Sequence, residues 1–230
     1  VDSEQISVLE SEFFALSSKF DTLATRLFTG KIDVPTFERS LISELKGATI
    51  RAYVVGANGT PTAKHYGSSG LHLRQKYADL HRLTEKISQG ALSEAQIRDR
   101  LSRHARSIQT AAARSEKITM ALAGFDIAKR TLDPQAKHCK SCLRLVTDGF
   151  EPISKVTPRG VNCECGSHCR CLVVYKKSGN PLNPLGLADE ILRLDRENSL
   201  SDDKLLAKIE SLLGAKKRRI RRSDKGFGTV

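Results

Sequence analysis

Six cysteines lie between positions 139 and 171, and the rest of the chain has none. Two sit in "HCKSC", His138 to Cys142, and four in "NCECGSHCRC", Asn162 to Cys171. The spacing is C-x2-C, then twenty residues, then C-x-C-x3-C-x-C. Close thiolate pairs from two segments suit zinc, which takes four soft or borderline ligands at tetrahedral corners. Cys139 and Cys142 form one pair, and the second comes from Cys165, Cys169 and Cys171, with Cys169 and Cys171 preferred. The stretch from Thr147 to Gly166 has few apolar residues and needs such a staple to hold a small lobe together. Six thiols exceed one tetrahedral site. Either one all-cysteine site leaves two thiols spare, or His138 and His168 help to complete two sites. One site is the expectation. Disulfides and plain buried thiols compete for the same residues, but disulfides require an oxidising compartment and nothing in the sequence points to one.

The elements that position this cluster follow from hydrophobic spacing. Ile6, Leu9, Phe13, Leu16, Phe20, Leu23 and Leu27 recur three and four apart, which predicts a helix over 3–28 with Gly30 at its end. Pro35 suits the first turn of a second helix running to about Val55. "VVGANGTPTAKHYGSSG" is expected to be a loop from its glycine, serine and proline content. A third helix is expected from Leu71 to Ser88. Ser93 with Gln96 forms a capping box that opens a long helix ended by Gly124. "CLVVYK" is β-prone, while "LADEILRLDRE" and "SDDKLLAKIESLLGAKKRRIRR" are helical. The expected fold is mainly α: a helical body over 1–131, a cysteine-rich zinc lobe with short strands over 132–178, and a linker with a basic helical tail over 179–230.

The formal net charge is +12, and its distribution is uneven. From Gly214 onward there are seven cations, Lys216, Lys217, Arg218, Arg219, Arg221, Arg222 and Lys225, against Asp224 alone. Such a run grips phosphates without reading bases, or it is a solvated helix end whose cations favour the terminal dipole. Aromatic residues make up 5% of the chain, which disfavours a base-stacking platform. No apolar run approaches the ~20 residues that span a bilayer, and the acidic, amphipathic "VDSEQISVLESEFF" is not a signal peptide.

Catalysis is not expected. No nucleophile elbow, phosphate-cradling loop or paired carboxylate stands out. His72 and His81 lack an acid at a telling spacing, and His104 is expected to be exposed on an arginine-rich helix.

Three stretches together resemble the minor head proteins of tailed phages, the Mu-type head-morphogenesis family. They are "LFTGKIDVPTFERSLISELKGATIRAYVVGANG", then "LSEAQIRDRLSRHARSIQTAAARSEKITMA" leading into "LDPQAKHCKSCLRL", and the closing "CRCLVVY". The resemblance covers roughly residues 25–176. It implies a metal set of Cys139, Cys142, Cys169 and Cys171, with Cys165 matching some members, and gives no counterpart for Cys163 or His168. It further implies a virion component near the portal vertex that contacts portal or major capsid protein, acts in head assembly, and in some members travels with the DNA. The alternative is a zinc-ribbon protein that contacts nucleic-acid phosphates through its basic tail.

Overall fold

The computed structural model describes residues 3–161, 163–165, 169–179 and 183–197. The chain is mainly helical, with a small three-stranded sheet. Its elements are α1 (Ser3–Phe28), α2 (Val34–Gly56), α3 (Ala63–Ser88), α4 (Glu94–Leu122), β1 (Ile127–Thr131), α5 (Lys140–Leu145), β2 (Glu151–Pro152), β3 (Leu172–Lys176) and α6 (Pro184–Glu197). The expected helix "SDDKLLAKIESLLGAKKRRIRR" and the basic residues Lys216, Lys217, Arg218, Arg219, Arg221 and Arg222 lie outside the described residues.

Local chemistry fixes the helix ends. The Asp33 carboxylate accepts from the Thr36 N–H at 2.8 Å and opens α2, with Pro35 in the first turn. The Ser93–Gln96 capping box is formed in both directions at the start of α4. Gly124 ends that helix with φ +82°, a conformation that L side chains rarely adopt.

One apolar core joins α1 to α4. It contains Phe13 and Phe20 from α1, Leu41 and Leu45 from α2, Leu80 from α3, and Ile108 from α4. α2 and α4 come close together at Gly56, where a Cβ would collide with the Ala112 carbonyl oxygen and lie 2.8 Å from Ser115 Cβ. Ser115 Oγ donates to the Tyr53 carbonyl at 2.6 Å, and Thr119 Oγ1 to the Gly56 carbonyl at 2.9 Å. The Tyr53 carbonyl also accepts the Ala57 N–H at 3.0 Å, so the Ser115 bond is a second one that ties α4 to the last turn of α2.

The stretch expected to be a loop is helical from Ala63. Gly67 and Gly70 weaken the local propensity, but tertiary contacts override it. Buried Ser68 shares a hydrogen bond with Tyr53 Oη at 2.9 Å, and Thr62 and His65 make the capping interaction. The ring of His65 takes the place usually held by Glu or Gln.

α4 continues past the bundle into a second core. Ile118 and Ala121 pack there with Ala128, Ile153, Val156 and Ile191, so one helix carries both the body and the sheet. The sheet order is β2-β1-β3, antiparallel throughout, with Ala128 opposite Tyr175 and Arg130 opposite Val173. Along β1, Ala128 and Arg130 alternate inward. Ala128 meets the second core and Arg130 reaches the cysteines. α6 packs on α3 and α4, where Asp195 pairs with Arg114 at 3.5 Å.

Candidate metal centre

α5 is a short helix whose N-cap is Cys139. The Cys139 sulfur accepts the Cys142 N–H at 3.4 Å, so the C-x2-C pair folds into a tight knuckle. Cys142 is fully buried, as are Cys169 and Cys171 just before β3, and Cys139, Cys163 and Cys165 pack around them. The sulfurs of Cys142, Cys163, Cys165 and Cys169 all lie within 4.8 Å of one another. Individual separations are 3.2 Å for Cys142–Cys165, 3.6 Å for Cys142–Cys169 and 3.4 Å for Cys163–Cys165. None of the six cysteines is joined in a disulfide, and these distances exceed the ~2.05 Å of an S–S bond. Four sulfurs bound tetrahedrally to one zinc at ~2.3 Å would sit ~3.8 Å apart, close to what is seen here.

A second group joins His138, Cys142 and Cys171, also within 4.8 Å. Of the five cysteines expected from the sequence as ligands, Cys142, Cys165 and Cys169 enter the four-sulfur group and Cys171 enters the group with His138. Cys139 belongs to neither and caps α5. Cys163, which had no counterpart in the family resemblance, completes the four-sulfur group. The signal for it was present in the sequence: C-x-C at 163–165 repeats C-x-C at 169–171. His168 lies outside the described residues.

Electrostatics prepare some thiols and hold others back. Burial works against ionisation of Cys169, but N–H groups of Cys171 and Gly160, the Cys171 side chain and the Arg130 guanidinium bring it down to about 6. Desolvation likewise opposes ionisation of Cys139, and the N–H groups of Cys142 and Cys165 lower it to about 7. Burial pushes the Cys142 and Cys165 thiols well above the ordinary range. Arg130 is wholly buried: Nη1 donates to the carbonyls of Thr157 and Pro158 at 3.1 and 3.2 Å, and Nη2 to Cys169 Sγ at 3.3 Å. A cation deep inside a thiol cluster fits a centre that carries excess negative charge. The cluster can hold a metal ion.

No family model, curated protein or solved structure matches the chain. The chemistry of the site therefore rests on its own residues.

The histidines of the body differ from expectation. His104 is half-buried rather than exposed, and burial lowers its pKa to about 4. His81 does have acid partners. Glu38, distant in sequence on α2, lies 2.7 Å from Nδ1, and Glu85 one turn on lies 3.3 Å from Nε2. His72 is buried with neither ring nitrogen hydrogen-bonded. It lines a cleft of about 660 Å³ between α3, α4 and the cysteine lobe, together with Lys76, Arg103, Arg106 and Arg114. Among the described residues no helix is long and apolar enough to cross a membrane.

Proposed function

We propose that this chain is an assembly protein whose cysteine lobe is stapled by zinc, acting as a minor head component near the portal vertex of a tailed-phage virion. The observation that carries the metal half is the convergence of Cys142, Cys163, Cys165 and Cys169 within 4.8 Å. Tetrahedral four-thiolate sites favour zinc. Around the cysteines the buried cluster is made of sulfurs with Leu132 packed against them, so metal binding supplies folding energy there. The virion half draws on the resemblance of residues 25–176 to head-morphogenesis proteins.

Exposed apolar groups on the lobe support contact with portal or capsid subunits. Leu172 and Val174 face outward from β3, with 50% and 48% of their surface exposed. β3 is also an edge strand, whose free backbone groups can take a further strand. Replacing Cys142 by serine is expected to unfold the lobe and block incorporation into heads. Variant protein entering particles at the normal copy number would overturn the assignment.

A second function, sequence-independent contact with nucleic acid, is favoured by the α3–α4 seam. The 660 Å³ cleft adjoins one of about 610 Å³ that shares Asp99 and Arg103 and adds Arg82, Lys86 and Arg100. These side chains offer a basic track for phosphates, and the sequence adds the tail cations Lys216, Lys217, Arg218, Arg219, Arg221 and Arg222. Filter binding across a salt series separates the two functions. Strong duplex binding that collapses with salt and vanishes on deletion of residues 215–230 would favour the nucleic-acid function.

A further inference from the structure

Building on the zinc-stapled lobe proposed above, we propose that the lobe holds two divalent ions rather than one, bridged by the Cys142 thiolate. The two ligand groups share that residue. One contains Cys142, Cys163, Cys165 and Cys169, and the other His138, Cys142 and Cys171. A thiolate sulfur has lone pairs enough to bind two ions, and Cys142 is the fully buried sulfur at the centre of the cluster.

The second group is prepared for a metal in its own right. His138 Nε2 lies 2.7 Å from the Asp133 carbonyl oxygen. A carbonyl only accepts, so Nε2 carries the proton and the Nδ1 lone pair is left for a metal. Metal-binding histidines are held in this way, through a second hydrogen bond that fixes the tautomer. The Asp133 carboxylate in turn accepts the Gln135 N–H at 2.9 Å, which braces the turn that presents the carbonyl. Cys139, the chain neighbour of His138, stays outside this group as the cap of α5. Its sulfur sits over the Cys142 N–H at 3.4 Å.

This arrangement uses five of the six cysteines. A single ion in the four-sulfur group would leave Cys171 a spare thiol, 1% exposed, beside a histidine already in the metal-binding tautomer. It also settles the charge. Five thiolates against two divalent ions leave one negative charge, and the buried Arg130 guanidinium offsets it. With one ion, either three negative charges would remain on these five sulfurs or some of them would have to keep their protons.

Cobalt(II) titration of the reduced full chain, followed by absorption and magnetic moment, tests the proposal. Saturation at two equivalents is expected, with the moment per cobalt falling as the second ion enters, because ions sharing a sulfur couple. Cys142→Ser would disturb both sites, so the informative variant is His138→Ala combined with Cys171→Ser. It should saturate at one equivalent with the moment of an isolated ion. Saturation of the unaltered chain at one equivalent would overturn the second ion and leave the staple standing. Two uncoupled ions would overturn the bridge, and two ions retained in the double variant would overturn the ligand assignment. No cobalt binding at all would overturn the staple as well.

Discussion

The guanidinium of Arg130 donates to the Cys169 sulfur at 3.3 Å from a side chain with no exposed surface. Arg130 lies on the central strand of the sheet, so this bond ties the sheet to the metal centre. The sheet is tied to α4 through the second core, and a Lys117 Nζ bond to the Ser154 carbonyl at 3.0 Å reinforces the link. Metal, strand and helix thus form one mechanical chain from the lobe to the body.

Removing that cation should cost more than its hydrogen bonds suggest. Arg130→Leu takes from the Thr157 carbonyl its guanidinium donor, leaves the Pro158 carbonyl with the Val161 N–H alone, and leaves the thiolates uncompensated, so the lobe is expected to lose about 3–5 kcal/mol. The helical signal of α1 to α4 should persist, since those helices have their own core. Circular dichroism with zinc competition checks this. Unchanged zinc affinity in the variant would show that the buried charge does not serve the metal.

Acid should strip the metal. Burial holds protons on Cys142 and Cys165 in the metal-free chain, so binding an ion must displace them. Affinity then falls as pH falls, by about tenfold per pH unit for each proton displaced. Zinc release to a chromogenic chelator along a pH series measures the slope. A pH-independent affinity would mean that these thiols are not ligands.

The helical body should weaken in acid for a separate reason. Burial, then the positive charge of Lys76, lowers the pKa of His104 from 6.5 to about 4. Between those values the unfolded chain takes a proton that the folded chain refuses, so stability is full above about pH 6.5 and is lost as pH falls toward 4. His65 and His72 are lowered by burial in the same direction. Thermal melts over this range should show Tm falling with pH, and His104→Gln should flatten the slope. A slope unchanged by that substitution would place the acid sensitivity elsewhere.

Two glycines should respond in opposite directions to alanine. Gly56→Ala drives a methyl into the Ala112 carbonyl at the α2–α4 crossing and is expected to cost about 2–3 kcal/mol. At Gly70, inside α3, a Cβ meets nothing within 4 Å, so Gly70→Ala should gain about 0.5–1 kcal/mol of helix propensity. Chemical denaturation of both variants reads the difference directly.

The sequence made some features legible and hid others. The apolar stripe of α1 and the Ser93–Gln96 box could be read because helix periodicity and capping are local. Leu9, Phe13, Leu16, Phe20 and Leu23 are indeed buried, while Ile6 is 43% exposed near the helix start. The first turns of α3 were hidden because Ser68 and Ser69 read as loop residues until Tyr53 and the bundle enclose them. The Glu38–His81 pair spans two helices and leaves no trace in spacing. Arg130 was hidden for another reason. Within "IAKRT" it looks like a surface cation, and only the strand alternation, together with the sulfurs opposite, turns it inward. The cysteine cluster was evident from density alone, but the division of its sulfurs between two groups depends on where Cys163, Cys165, Cys169 and Cys171 fall against Cys142 and His138.

Native mass spectrometry of the full chain, purified without chelator or reductant, tests the zinc-stapled lobe most directly. A mass excess of bound zinc is expected, lost on acidification, after which all six cysteines should react as thiols. A metal-free mass short by two protons for each cysteine pair would contradict the zinc staple, because the same sulfurs would then be joined to one another.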